Sequence, residues 1–355
     1  MGGASVARVT LQTIADRVGV SRMTVSNAFS RPDQLSPNLR DRILAVADEL
    51  GYVGPDPAAR ALARGTTGAV GILLTDSLSV AFADEIATSF LGAIADELTP
   101  TGLGLTLLTA TEAGGVIPAR DVAMDGALVY SCDPENTAVD WLLRRRLPLV
   151  FIDQVPAEGI AAVNVADRDG ARAAAQLLVD LGHRRIGVVT AGYRGAHGLV
   201  QSEDIIDGYA AAQRLAGWLD ALTPAGIVPQ ISRHHDGHRE AGYQAGRLLL
   251  DSPDRPTAVL CFSDVMAQGV VEAARDLGLT VPADLSVIGF DDSALSARMR
   301  PPLTTVRQDI HAKGHAAAAF LTRAIEAARN GTPGPAEHLC LPAELVVRES
   351  TAPPP

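Results

Sequence analysis

The apolar positions of residues 1–66 recur at helical spacing. In VTLQTIADRVGVSRMTVSNAF (residues 9–29), Leu11, Ile14, Ala15 and Val18 fall on one face, and Val25 and Ala28 form a second short stripe. Thr10 and Ser21 are good N-caps for these two helices, and Gly19 ends the first and permits a positive φ. Ser36-Pro37 starts a third helix with the inward stripe Ile43, Val46, Ala47 and Leu50, which Gly51 ends. Three short helices with a tight Gly-Val turn between the first two predict a helix-turn-helix. Residues 55–66, PDPAARALARGT, have good helix propensity, but about ten residues make only a marginal isolated helix.

From Ala69 the period changes. Short apolar runs (AVGILL, LTLLT, GALVY, PLVFI) alternate with amphipathic helices over 83–99 and 136–146. A second set follows: a helix over 167–181, RIGVV, a helix over 204–216, VPQIS, a helix over 238–250, AVLCF, a helix over 264–277 and LSVIGF. Such alternation predicts α/β lobes, each a parallel sheet with helices on both faces, and two sets predict two lobes. A helix over 309–329 and a strand near 344–348 come too late to belong to one lobe. Three crossings between lobes are therefore expected.

Composition narrows the class. Apolar residues make up 47% and aromatics 4%, so the core is aliphatic. Cys132, Cys261 and Cys340 are far apart and odd in number, which argues against a disulfide framework and fits a reducing cytoplasm. No basic stretch leads into an apolar run at the N-terminus, and no apolar run approaches the roughly 18 residues of a membrane helix. A soluble, cytoplasmic protein with no membrane partner is expected. The net charge of −11 is uneven: residues 1–66 hold eight Arg and six Asp or Glu, and the remainder holds 22 basic and 35 acidic residues. An acidic body is repelled by DNA, so any DNA contact belongs to the N-terminal segment. Of the 30 basic residues one is a lysine, Lys313.

In helix-turn-helix geometry the second helix enters the major groove with its N-terminal residues toward base edges. Those residues are Ser21, Arg22, Met23, Thr24, Ser26 and Asn27. Arg pairs with guanine N7/O6, Asn with adenine N6/N7, and Met can touch a thymine methyl. Hydroxyls and helix N-termini hold phosphates. The alternative, a three-helix cap that docks on a protein, fits poorly with an outer face that is small and polar.

TLQTIADRVGVSRMTVSNAF, LSPNLRDRILAVADELGY and AARALARG resemble the head of the lac-repressor-like (LacI/GalR-type) transcription regulators. LLVDLGHRRIGVV, LCFSDVMAQGVVEAARDLGLTVPADLSVIGFDDS and PPLTTVRQD extend the likeness over nearly the whole chain. The resemblance implies that Arg22, Met23 and Asn27 occupy the main base-reading positions. It sets Thr10, Ser21, Thr24, Ser26 and Ser30 on or beside backbone-contact positions. Asn27 stands where the family often has Arg, which points to different half-site bases. The resemblance also implies a hinge that folds when two subunits meet on the operator, with Leu62 as an apolar wedge at the operator centre and Arg60 reaching phosphate. The alternative for Leu62 is an ordinary packing residue of a linker. GYVGPDP carries one extra residue and a second proline against the usual pattern, so a stiffer or later hinge start is expected.

The implied core is a two-lobed fold similar to periplasmic sugar-binding proteins. Ligands of such sheets bind outside the carboxyl ends of strands, here in the cleft between lobes. Asp76, Asp153, Ser263 and Asp291 follow strands, and the resemblance sets them on effector-contact positions. Phe82 would supply an apolar face for a ring, and Asp264 is read as a helix cap. Two departures matter. Ile205 stands where an Arg usually precedes the Gly of DIIDGYAAA, and Ser263 stands where an Asn is usual. Together they remove up to about seven donors, which argues against a plain aldohexose held in the usual way. With three cleft carboxylates, a less polar or cationic small molecule is expected; a purine would lack a clear aromatic clamp.

Catalytic chemistry is not apparent. His234, His235, Asp236 and His238 match no closed zinc pattern and read as a strand-end loop. Gly102-Leu103-Gly104 lacks the third glycine of a dinucleotide motif, and Arg144–Arg146 suit a helix C-terminus. Neither an enzyme nor a cofactor is expected. The end, LVVRESTAPPP, has no heptad helix of the kind the family's tetramers need, and its prolines read as disordered. The expected organisation is a DNA-binding headpiece over 1–54, a hinge over 55–67, a two-lobed effector and dimerisation domain over 68–350 and a disordered tail over 351–355. The expected function is sequence-specific repression. A homodimer would bind palindromic double-stranded operator DNA, under control of a small-molecule effector.

Overall fold

Local signals start each helix of the head. In α1 (Leu11–Val18) the Thr10 hydroxyl accepts the Thr13 amide and the Thr13 hydroxyl accepts the Thr10 amide, a closed capping box. Gly19 ends α1 at φ 78°, and its amide donates to the Ala15 carbonyl. Ser21 caps α2 (Arg22–Ser30), and Pro37 is the first residue of α3 (Pro37–Glu49). Ile14, Ala15, Val25, Ala28, Ile43 and Ala47 are buried together, so the stripes of the three helices close one small core. A fourth helix, α4 (Pro57–Arg64), is capped at both ends. Asp56 Oδ1 accepts the Ala58 and Ala59 amides, and Gly65 takes φ 68°. The second proline of GYVGPDP is thus the first residue of this helix, where its missing N–H costs nothing.

The computed structural model describes residues 9–54, 56–74, 78–110, 114–132, 136–192, 195–201, 208–332 and 334–355. They divide into two compact units between Gly68 and Ala69. The second unit runs β1 (Ala69–Leu74), α5 (Leu78–Ala83), α6 (Glu85–Leu98), β2 (Gly104–Thr109), α7 (Pro118–Asp121), β3 (Ala127–Tyr130), α8 (Thr137–Arg145), β4 (Leu149–Ile152) and β5 (Ala161–Val165). It continues through α9 (Asp167–Asp180), β6 (Ile186–Ala191), β7 (Gly198–Val200), α10 (Tyr209–Leu222), β8 (Gln230–His234), α11 (Arg239–Leu250) and β9 (Ala258–Cys261). Next come α12 (Asp264–Asp276), β10 (Ser286–Ile288), α13 (Ala294–Arg298) and β11 (Thr305–Gln308). It closes with α14 (Ile310–Arg329), β12 (His338–Leu341) and β13 (Ala343–Val346).

The first lobe is a parallel sheet in the order β12-β5-β4-β3-β1-β2. α6 and α14 cover one face through Phe90, Ile94, Ala317 and Leu321. α7 and α8 cover the other through Ala119 and Leu142. The second lobe has the order β10-β9-β6-β8-β7, parallel except for β7. α9 and α10 lie on one face around Trp218, and α11 and α12 on the other around Met266 and Val270. The chain crosses between lobes at Ala166, Asp309 and Pro342, and β11 pairs antiparallel with β13 beside the crossings. This is the expected α/β two-lobed architecture with three crossings.

Three differences have physical causes. β5 and β12 have no strand signal of their own: β12 is a half-exposed edge held by its register with β5. α10 starts at Tyr209 and extends to Leu222, six residues beyond the expected end, because Trp218 and Leu222 are buried against α9. Residues 202–207, where that helix was expected to begin, lie outside the described residues. The tail over 351–355, expected to be disordered, is docked instead. His183 Nε2 and the Ser286 hydroxyl both bond the Ala352 carbonyl, and the Ala352 amide donates to Ser286 Oγ. Backbone hydrogen bonds to buried partners overrule a composition that only lacks apolar side chains.

Candidate functional site

The head presents its candidate interface on α2. Arg22 is exposed and Met23 is 69% exposed, whereas Val25 and Ala28 on the opposite face are buried. Helix phase alone separates the two sets. The hydroxyls beside them are already ordered: Ser21 Oγ accepts the Thr24 amide at 3.0 Å and lies 2.8 Å from Thr24 Oγ1. The Ser30 hydroxyl donates to the Ser26 carbonyl at 2.8 Å, and Thr10 closes its capping box. Asn27 Nδ2 donates to Gln34 Oε1 at 3.2 Å, a contact supplied by the short turn Pro32–Gln34. On α4, Arg60 is exposed and Leu62 is 87% exposed, an apolar side chain with no core to enter.

The second candidate site is a cavity of about 230 Å³ between the two lobes. Its walls are the carboxyl ends of strands: Tyr130 and Ser131 after β3, Asp153 after β4, Ser263 after β9 and Asp291 after β10. Ser131, Asp153 and Asp291 have φ of 49°, 51° and 113°, so three non-glycine residues hold left-handed backbone at one site. Asp153, Ser263 and Asp291 are thus brought together as the sequence implied. Phe82 is 59% exposed on α5 and is not among the lining residues. Asp76 and Ile205 lie outside the described residues.

The floor carries groups that sequence reasoning missed. Arg214, on α10, donates from Nε to Asp167 Oδ1 at 2.8 Å and lies 3.6 Å from Asp291 Oδ1. Its guanidinium stacks 3.6 Å from the Phe290 ring centre. Lys313, on α14, donates to Asp153 Oδ2 at 2.7 Å, and Gln308 Nε2 donates to Asp291 Oδ1 at 2.7 Å. Burial pushes the Asp291 carboxyl up to about 8 against the pull of Arg214, so it holds its proton near neutral pH. Burial likewise raises Tyr130, with Asp153, Asp84 and Asp291 adding to it.

Of the strand-end carboxylates, Asp153 is paired with Lys313 and Asp291 faces Arg214, while Asp76 lies outside the described residues. At the rim, Asp84 caps α6, the exposed Glu85 faces Arg298 at 3.6 Å, and Asp236 accepts the His238 amide. Three buried acceptors still have no donor: Asp153 Oδ1, Asp167 Oδ2 and Gln308 Oε1.

Ser263 is partly spent, because its Oγ caps α12 by accepting the Met266 amide at 3.2 Å. Asp264, read from sequence as a cap, instead accepts the Ser293 amide and hydroxyl and the Thr305 hydroxyl. Among the described residues, no group of three or more His, Cys, Asp or Glu side chains could hold a metal ion. Nor is any described helix long and apolar enough to cross a membrane.

A model of the bacterial regulatory proteins of the lacI family matches residues 10–54, and one of the periplasmic binding protein-like domain matches residues 175–351. The chain is 34% identical over 342 residues to HTH-type transcriptional regulator Rv3575c of Mycobacterium tuberculosis, covering 92% of this chain and 93% of that one. It is 37% identical over 332 residues to HTH-type transcriptional regulator IpsA of Corynebacterium glutamicum, covering 89% and 91%. Among solved structures, the lac repressor dimer bound to operator and the anti-inducer ONPF matches with a TM-score of 0.76 at 27% identity, covering 97% and 99%. The complex of the transcriptional regulator CelR with cellobiose matches at 0.66 and 27% identity, covering 97% and 100%. The chain therefore belongs to the LacI family of bacterial regulatory proteins: it is a DNA-binding transcriptional regulator, not an enzyme, with a helix-turn-helix head and a periplasmic-binding-protein-like effector domain.

Proposed function

We propose that this regulator is a repressor that binds a palindromic operator as a homodimer and changes its affinity when a small molecule fills the inter-lobe cavity. The observation that carries the reading is the pairing, in one chain, of an exposed polar reading helix with a buried, charge-compensated cavity. Arg22, Met23 and Asn27 read bases in the major groove. Thr10, Ser21, Thr24, Ser26, Ser30 and Arg60 hold the sugar-phosphate backbone. Leu62 wedges into the minor groove at the operator centre and bends the duplex.

Asp153, Ser263 and Asp291 contact the effector. The effector is a neutral, hydroxyl-bearing molecule: the cavity is lined by polar residues, among them Ser131, Ser263 and Gln308, and its buried carboxylate Asp153 is already paired with a cation. A neighbouring structure holds cellobiose, a molecule of that kind. Effector binding changes the angle between the lobes, the spacing of the two hinges follows, and operator affinity with it.

The test is fluorescence anisotropy with DNA from upstream of the regulator's own gene at 50 and 200 mM salt. Expected is tight binding that weakens by at least about a hundredfold over that range, with scrambled DNA bound far more weakly. Equal binding to scrambled DNA, or none to any genomic fragment, would overturn the reading.

A further inference from the structure

We propose that Lys313 determines the specificity of the inter-lobe cavity: by pairing with Asp153 from behind, it makes that carboxylate select a neutral hydroxyl over an ammonium. The inference rests on the cavity being the effector site.

Lys313 is the chain's one lysine among 30 basic residues. It is 1% exposed on α14 and is not itself a lining residue. Its ammonium meets Asp153 Oδ2 at 2.7 Å. The other oxygen, Asp153 Oδ1, is buried and without a partner, and Asp153 lines the cavity. One carboxylate thus faces a fixed cation on one side and the ligand space on the other. Its position is fixed too: the neighbouring Gly314 lets α14 approach α6 so closely that a Cβ there would lie 2.6 Å from Ala93 Cβ. Apolar residues in place of both partners would fill the same volume without two desolvated charges, so stability alone does not call for an ion pair here.

The electrostatic consequence is direct. A carboxylate already paired has little net charge left to attract a second cation, and an ammonium at Oδ1 would feel the Lys313 ammonium across the width of one carboxyl group. A hydroxyl at Oδ1 meets no such repulsion and gains a charge-assisted hydrogen bond. The other charged groups of the floor do not reverse this. Arg214 is balanced by Asp167 and Asp291, Glu85 faces Arg298, and Asp84 and Asp236, whose backbone hydrogen bonds leave their charge intact, act on wild type and variant alike.

The experiment is calorimetric titration of the full-length protein with matched pairs, each a neutral polyol and the same molecule with one hydroxyl replaced by an amine. D-glucose and D-glucosamine, D-galactose and D-galactosamine, and glycerol and serinol are such pairs. Wild type should prefer the neutral member of at least one pair by tenfold or more. Lys313→Met should reverse the preference in that pair, because Asp153 becomes an uncompensated acceptor. The double variant Lys313→Met with Asp153→Asn should restore the neutral preference, since the carboxamide accepts a hydroxyl without charge. A lysine that only supported the fold would weaken both members alike. An unchanged ratio in Lys313→Met, or a wild type that prefers the amine, would overturn the proposal and leave the cavity as effector site. If no member binds wild type or either variant, the neutral effector class falls first, and this inference with it.

Discussion

Asn27, the proposed adenine reader, shows how a side chain gains direction from a neighbour. A carboxamide can turn either way in solvent. Adenine recognition needs Oδ1 to accept from N6 and one Nδ2 hydrogen to reach N7. Gln34 Oε1 takes the other Nδ2 hydrogen at 3.2 Å and so favours one orientation. Selection of binding sites from randomised DNA should therefore relax at one half-site base pair in Gln34→Ala, the same pair that relaxes in Asn27→Ala. An unchanged site would remove Gln34 from recognition. The seven-residue separation of this pair has no sequence signature, because a three-residue turn brings Gln34 back toward α2. Arg22 and Met23, by contrast, were legible from helix phase alone.

At the scale of elements, α4 is the segment whose sequence states most about its own ends. Asp56, Pro57 and Gly65 supply an N-cap, a first helical residue and a left-handed terminus, which offset the weak propagation of eight residues. Its exposed Leu62 is the proposed minor-groove wedge rather than a packing residue. Replacing it by Ala should weaken operator binding by about tenfold or more, while binding to unrelated DNA changes little, as read by anisotropy against both duplexes. Equal losses would return Leu62 to a linker. The long body helices were legible from their periodicity to within a few residues, apart from α10, whose far end is set by Trp218 against α9 rather than by a local stop signal; the short α5, α7 and α13 were not. β12 was not legible, since an edge strand exists through its partner's hydrogen bonds, and β5, buried between β12 and β4, is a short AAVNV run with no alternation to mark it.

The whole molecule is legible in its charge and less so in its buried ionisation. Burial raises Asp291 to about 8, Asp264 to about 7, and Asp167 as well. The folded chain then holds protons that the unfolded chain releases near pH 4. Their contribution is fully present below that value and is lost as pH climbs through the folded values. His183 and His234 are lowered by burial and act in the opposite sense, but only below about 6.5. Asp121, Asp220 and Asp292 are lowered, so their gain is complete above about 4. Stability of the effector domain, measured by urea unfolding, should fall between pH 6.5 and 8 with a slope of order 1 kcal/mol per unit. Asp291→Asn should flatten that slope; a wild-type curve already flat there would contradict the burial argument.

The sequence by itself determined the helix-turn-helix, the exposed face of its second helix, the alternation that makes two parallel lobes and the strand ends that line the cavity between them. These follow from short-range periodicity and from caps and glycines that act within one turn. Tertiary structure alone decided the electrical character of the cavity. Asp153 and Lys313 are 160 residues apart, and Arg214 meets Asp167 only because α9 and α10 pack side by side. Asp153 and Asp291 can be read from sequence as strand-end carboxylates, but the cation and the amide that each one meets come from elements distant along the chain. The cause is that charge compensation acts through space at a few ångströms, whereas sequence records only distance along the chain.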